Sequence, residues 1–172
     1  MELPDAEHLV QELVQQLRAH LGAQSNAPKN TALVGVHTGG VWLAERLHRE
    51  LAIELPLGVL DISFYRDDFE RIGLHPQVKP SSIPFSVEGR DIILIDDVLY
   101  TGRTVRAAMN ELFDYGRPAT IRLAALIDRG GRELPIAAEF VGASLPLDAT
   151  QQIELRRDTS GVLSLHLNQA AG

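Results

Sequence analysis

The apolar run Ile92–Ile95 ends in two adjacent carboxylates and then in a turn rich in hydroxyls and glycine. Residues 92–104 read I-I-L-I-D-D-V-L-Y-T-G-R-T. The unbroken apolar core of Asp91–Ile95 is the pattern of a strand buried on both faces, as in a parallel sheet. A helix opening in the TGRT turn and running to about Tyr115, closed by Gly116-Arg117-Pro118, completes a strand–turn–helix unit. Ligands of open α/β sheets bind outside the C-terminal ends of the strands, where Asp96 and Asp97 fall. Gly102 lets the backbone curl closely around a ligand, Thr101 and Thr104 bring hydroxyls, and the helix N-terminus favours an anion. Carboxylates accept from hydroxyls while backbone amides hold phosphate, so a sugar phosphate satisfies both halves of the unit.

The remaining chain repeats this alternation. Asp5 is an N-cap candidate for a helix with Leu9, Leu13, Leu17 and Leu21 at helical spacing and a stop at Gly22. Gln24–Asn30 reads as a loop and Thr31–His37 as a buried strand. Thr38-Gly39-Gly40 then opens a second amphipathic helix through about Leu51. Leu57–Phe64 and Ile121–Ile127 are further strands. From Tyr65 to Val87 charges and three prolines replace any apolar period, which marks a long functional or disordered loop. The C-terminal part reads as short strands: Glu139–Val141, then Gln152–Arg156 and Val162–Leu167 around a turn at Asp158-Thr159-Ser160-Gly161. Strands alternating with helices predict one α/β domain over residues 1–172, with a mostly parallel sheet of about five strands flanked by helices.

Composition removes whole classes. There is no cysteine, so disulfides and thiol nucleophiles are excluded, and six histidines show no H-E-x-x-H spacing for zinc. No apolar run is long enough to cross a bilayer and no basic-then-apolar leader opens the chain, so a cytoplasmic protein is expected. Neither G-x-x-x-x-G-K-[ST] nor G-x-G-x-x-G occurs. The net charge of -7 is uneven: Leu99–Arg132 holds six arginines and three acids, a local +3, leaving -10 elsewhere. On charge alone the positive segment reads either as a helix and strand with solvated arginine faces or as a site for a phosphorylated small molecule, and the acidic balance argues weakly against a protein that coats nucleic acid.

The string Asp96–Ala107 (D-D-V-L-Y-T-G-R-T-V-R-A), followed by G-R-P and then L-I-D-R-G-x-R-E-L-P-I, resembles the PyrR family of type I phosphoribosyltransferases. Val34-Gly35 with Thr38-x-Gly40, the Asp61–Asp68 segment, Val78-Lys79 and Ile83-Pro84 extend the likeness to about Val141. The resemblance implies a type I phosphoribosyltransferase-like fold with a lid over about 65–87 and a small C-terminal hood over about 131–167. It implies a uracil phosphoribosyltransferase that converts uracil and 5-phosphoribosyl-1-diphosphate (PRPP) to UMP and diphosphate with Mg²⁺, the ion being carried mainly by PRPP. It also implies a homodimer or larger assembly, and UMP-dependent attenuation of pyrimidine gene expression through binding to pyr leader mRNA.

Carried over by motif, Asp96 and Asp97 would bond the ribose hydroxyls and, with Tyr65 and Arg66, form the catalytic set. The PRPP contacts would run through Thr38, Gly39, Gly40, Asp96, Asp97, Val98, Leu99, Tyr100, Thr101, Gly102, Arg103 and Thr104. Lys79, Asp128 and Arg129 would serve the base or pyrophosphate, with Asp128 also in the metal shell. Thr38-Gly39-Gly40 stands where such proteins place a pyrophosphate loop, often with a non-proline cis peptide. The resemblance implies Arg in many members where this chain has Gly39, so pyrophosphate should be held less tightly here or by another Arg.

For RNA the residue retained is Arg132. Gly131, Ala137 and Ala143 stand where RNA-binding members are basic or polar. The charge distribution therefore favours PRPP chemistry over attenuation. Two further readings stay open: a UMP- or PRPP-sensing regulator with little turnover, and a phosphoribosyltransferase for another base.

Overall fold

The computed structural model describes residues 1–24, 27–62 and 81–169. Five parallel strands form the central sheet: β1 (Thr31–Val36), β2 (Gly58–Leu60), β3 (Asp91–Leu99), β4 (Thr120–Asp128) and β5 (Phe140–Ser144). Their order is β2-β1-β3-β4-β5. All six β1 residues and the core of β3 are buried, as expected for strands covered on both faces.

The period-two alternation of side chains divides the core. Leu33, Ile93, Ile95, Ala124 and Leu126 face a cluster built by α1 (Ala6–Gly22) and α3 (Gly39–Leu51). Ala32, Val34, Ile92, Leu94, Leu123 and Ala125 face a second cluster that includes Val105, Ala108 and Leu112 of α4 (Arg103–Asp114). The Asp5 carboxylate accepts from the His8 amide at 2.8 Å and caps α1, whose Leu9, Leu13 and Leu17 are buried. No helix among the described residues is long and apolar enough to cross a membrane.

Several boundaries differ from the sequence expectation. Ala27–Asn30, inside the expected loop, forms one helical turn, α2. Within Leu57–Phe64 the described strand is only Gly58–Leu60, because this edge strand has just three partners on β1. Beyond it, a single antiparallel bridge joins Val59 to Ser82. The expected lid, about 65–87, overlaps the described residues only at 81–87. Ser82 and Val59 exchange backbone hydrogen bonds at 2.8 and 2.9 Å, the Asp61 amide donates to Ser81 Oγ at 2.9 Å, and Val87 is buried. Ser81 and Ser82 thus contact the β2 edge, and the remainder of the expected lid, 65–80, lies outside the described residues.

The hood is likewise smaller than 131–167. Phe140–Ser144 joins the main sheet as its fifth parallel strand. Only β6 (Gln151–Arg157) and β7 (Leu163–Gln169) make a separate antiparallel sheet, around the expected turn at Asp158–Gly161. This hairpin packs Ile153, Leu155 and Leu163 into the α1/α3 cluster. Arg157 reaches Glu45 at 3.2 Å and lies over the Trp42 ring, 4.9 Å from its centroid.

A buried-edge ion pair ties the hairpin to both helices. Arg46 donates to both Glu7 oxygens, at 2.9 and 2.7 Å, and the Leu163 amide donates to Glu7 Oε1 at 2.8 Å. The Arg46 hydrogen bonds hold the Glu7 carboxyl below its ordinary value of 4.5. A depressed carboxyl contributes stability above its unfolded pKa and loses it as pH falls through the folded value. Glu7 is partly solvated, so Glu7→Gln should cost about 1 kcal/mol at pH 7. Calorimetry should then find a melting point lower by about 2–4 °C at pH 7. The gap between variant and parent should shrink below pH 4.5 as the parent's carboxyl protonates.

Candidate active site

The parallel register brings three strand ends to one edge. β1 delivers His37–Gly40, β3 delivers Asp96–Thr101, and β4 delivers Asp128–Gly131, with Leu99 paired to Asp128. The strand does not stop at Ile95. It continues through Leu99, so Asp96 and Asp97 sit within its last turn of ladder rather than beyond it. Alternation then separates the two carboxylates. Asp96 is buried and its Oδ1 accepts the Asp97 amide at 2.9 Å, while Asp97 is half-buried.

The Thr38-Gly39-Gly40 turn packs against this pair. The peptide between His37 and Thr38 is cis, as the resemblance implied. A Cβ at Gly39 would fall on the Asp97 carboxylate, and one at Gly40 would lie 2.6 Å from the Ile95 carbonyl oxygen. The two loops meet with no room for a side chain between them.

After β3 the backbone turns into α4 through Gly102, at φ +93°. The Arg103 amide donates to Thr101 Oγ1 at 3.1 Å, and Arg106 N donates to the Gly102 carbonyl at 3.0 Å. Asp96, Val98–Gly102, Thr104 and Val105 line a small hollow of about 80 Å³. Its size and its position at a helix N-terminus suit a single phosphate group. Two larger hollows, about 360 and 450 Å³, lie elsewhere: one between the hairpin and α3, the other over the apolar flank of α4 and β4. Neither touches the strand ends, and chemistry rather than volume selects the small one.

Of the remaining predicted residues, Asp128, Arg129 and Arg132 follow β4 to the same edge. Tyr65, Arg66 and Lys79 lie outside the described residues. Asp128 accepts the Arg132 guanidinium on Oδ2 at 2.5 Å and the Gly130 amide on Oδ1 at 3.0 Å, so both oxygens are engaged by the chain itself. Each oxygen keeps a further acceptor site, directly or through water.

Arg129 is buried. Its guanidinium lies 3.9 Å from the Tyr100 ring centroid and donates to the Asp148 carbonyl at 2.9 Å. Its Nε is buried without a hydrogen-bond partner, a deficit that stacking on Tyr100 partly offsets. Arg132, the candidate RNA contact, is turned inward. It donates to the Ile136 and Tyr100 carbonyls at 2.8 and 2.7 Å besides its bond to Asp128.

Four of the six arginines of the positive segment are engaged by the chain itself. Arg103 pairs with Glu133 at 2.9 Å and Arg122 with Glu139 at 2.8 Å, using acids just outside the segment. Arg129 and Arg132 are engaged as well, and the Thr101–Thr104 turn itself presents backbone amides and hydroxyls. No three His, Asp or Glu side chains converge as a cation site among the described residues. The donor set fits a magnesium ion that arrives on ligand oxygens, not one held in a protein cage.

Residues 133–136, the E-L-P-I that follows Arg132, also touch the Thr101–Thr104 turn. The Glu133 and Leu134 amides both donate to the Thr101 carbonyl, at 2.9 and 3.1 Å, and Ile136 packs against Gly102. Their R-E-L-P-I string was visible, but nothing in it shows which carbonyl they grip.

Residues 2–153 match the family model of the phosphoribosyl transferase domain. The chain is 64% identical over 126 residues to the bifunctional protein PyrR of Nitrosococcus oceani, covering 72% of this chain and 71% of that one. It is 51% identical over 155 residues to the bifunctional protein PyrR of Pseudomonas aeruginosa, covering 90% of each. Among solved structures, hypoxanthine phosphoribosyltransferases of Trypanosoma cruzi and Staphylococcus aureus superpose with TM-scores of 0.64 and 0.65. Identities there are 21% and 23%, over 84% and 87% of this chain and 81% and 79% of theirs, a likeness of fold alone.

Proposed function

The chain belongs to the PyrR family within the phosphoribosyltransferases, and from that premise we propose that it transfers the phosphoribosyl group of PRPP to uracil, releasing diphosphate and forming UMP. The observation that carries this reading is the phosphate-sized hollow between Asp96 and Val105, set directly beside a pair of carboxylates at the C-terminal edge of a parallel sheet.

In this mechanism the chain orients more than it reacts. The Thr101–Thr104 turn and the first turn of α4 hold the 5-phosphate. Asp96 and Asp97 accept from the ribose 2′- and 3′-hydroxyls, which fixes the ring and places negative charge near the carbon that becomes cationic as diphosphate leaves. The Thr38–Gly40 turn faces the diphosphate with backbone rather than with a side-chain charge. A magnesium ion carried mainly on PRPP oxygens would offset the negative charge of the diphosphate. Tyr65, Arg66 and Lys79 are proposed for the diphosphate side and Arg129 for the wall of the base side. Asp128 is proposed as the partner that orients Arg132, not as a ligand of the ion. As in the family, the working form is proposed to be a homodimer or larger assembly.

The relatives are named bifunctional, and the resemblance adds RNA-directed attenuation as the second function. In this chain the arrangement favours catalysis. Arg132 points inward, three more arginines of the positive segment are paired or stacked, and -10 of charge lies outside it. Incubation with Mg-PRPP and labelled uracil, hypoxanthine, adenine or orotate should yield nucleotide from uracil alone. PRPP binding without product from any base would leave only the sensing regulator, and product from hypoxanthine would overturn the choice of base.

A further inference from the structure

We infer that Arg132 is a positioning residue for the phosphate-binding turn, holding the Tyr100 carbonyl away from the ligand so that the Tyr100–Gly102 backbone turns its amide edge toward the 5-phosphate. The inference rests on the phosphoribosyltransferase reading of that turn.

In a trans peptide the C=O and N–H point to opposite sides of one plane. A group that grips a carbonyl therefore fixes where the next amide points. Arg132 Nη1 donates to the Tyr100 carbonyl at 2.7 Å and so sets the Tyr100–Thr101 peptide. The next two residues continue the grip: the amides of Glu133 and Leu134 donate to the Thr101 carbonyl at 2.9 and 3.1 Å and set the Thr101–Gly102 peptide. Two successive peptides are thus held from the same short segment. Ile136 closes the rear, since a Cβ at Gly102 would come within 3.0 Å of its side chain.

Arg132 is itself held in place. Its Nη2 bonds the Asp128 carboxylate at the end of β4, its Nε donates to the Ile136 carbonyl at 2.8 Å, and its side chain is three-quarters buried. The guanidinium thus joins three separately folded pieces: the end of β4, the 133–136 segment and the phosphate turn. A planar fork with donors in fixed directions can do this, whereas a lysine ammonium on a flexible stem can satisfy only part of it. A structural staple alone would hold the 130–138 segment, but only a positioning role links the loss of Arg132 to the phosphate subsite.

The test measures binding of ribose 5-phosphate and of PRPP by calorimetry, and steady-state kinetics with uracil. The variants are Arg132→Gln and Arg132→Lys, with melting curves recorded for each. Folded Arg132→Gln should bind ribose 5-phosphate about 10–100-fold more weakly, the loss expected for one charged hydrogen bond. KM for PRPP should rise in parallel while KM for uracil stays unchanged. Arg132→Lys should recover part of that loss, and it stands in if the Gln variant does not fold. Lowered melting points with unchanged ribose 5-phosphate binding would reduce Arg132 to a staple and overturn the inference, leaving the phosphoribosyltransferase reading intact. Failure of the unmodified chain to bind either phosphate would overturn both.

Discussion

Asp97→Asn should lower kcat/KM for PRPP by about 100-fold while leaving the fold intact. Replacing a carboxylate by an amide of the same shape removes a charge-assisted hydrogen bond to a ribose hydroxyl, a loss of roughly 1.5–3 kcal/mol or about 10–150-fold. It also removes a negative charge beside the developing cation, so kcat should fall along with affinity. Asp97 is half-buried, and among the hydrogen bonds described here its backbone amide, not its carboxylate, is the group that bonds within the strand. The melting temperature should therefore move by no more than about 2 °C.

Asp96→Ala should behave differently, although the two residues are neighbours. Asp96 is buried and its Oδ1 accepts the Asp97 amide, so truncation leaves that donor without its acceptor. A buried unsatisfied group costs about 1–3 kcal/mol, so this variant should lose stability as well as turnover. Steady-state kinetics together with thermal melts separates the cases. Unaltered turnover in Asp97→Asn would remove the ribose-binding role from the pair.

The strand–turn–helix unit was legible because its signals are local. An apolar run, a carboxylate pair, a positive-φ glycine and a helix start all fall within thirteen residues, and each specifies backbone conformation through its own neighbours. What failed was tertiary. The charge excess of Leu99–Arg132 looked like an anion site, yet Glu133 and Glu139, just beyond the counted window, pair two of its arginines. Phe140–Ser144 resembled a hood strand because five residues carry no pattern that says which neighbour they will join. Its place beside β4 is fixed by close approach, since a Cβ at Gly142 would lie 2.5 Å from the Leu126 carbonyl oxygen. Arg132 read as a surface cation for the same reason: the three carbonyl and carboxylate groups that turn it inward come from residues 100, 128 and 136.

Gly39 gives the sharpest contrast, because sequence and structure expect opposite signs from the same change. Read along the chain, Gly39→Arg supplies the charge that the family resemblance leads one to expect and should tighten diphosphate by about 10–150-fold, the worth of a charged hydrogen bond. The packing predicts a loss. Any Cβ at this position overlaps the Asp97 carboxylate, and its neighbour Gly40 is already seated against the Ile95 carbonyl, so the turn cannot retreat toward the strand. Asp97 is the flexible partner and must rotate out of place. Gly39→Ala, which adds the Cβ and nothing else, should therefore reproduce most of the Asp97→Asn defect, about 10–100-fold in kcat/KM for PRPP. Stability should change little, since a rotated half-buried side chain leaves the core untouched. Because both substitutions act through one carboxylate, their effects should not add: in the double variant Gly39→Ala should cost almost nothing further. Gly39→Arg should show the same loss, offset only in part by its new charge. A Gly39→Ala enzyme with unchanged kinetics would mean that Asp97 has room to move without losing its contact, and a Gly39→Arg enzyme with tighter diphosphate inhibition and undiminished turnover would return the decision to the sequence reading.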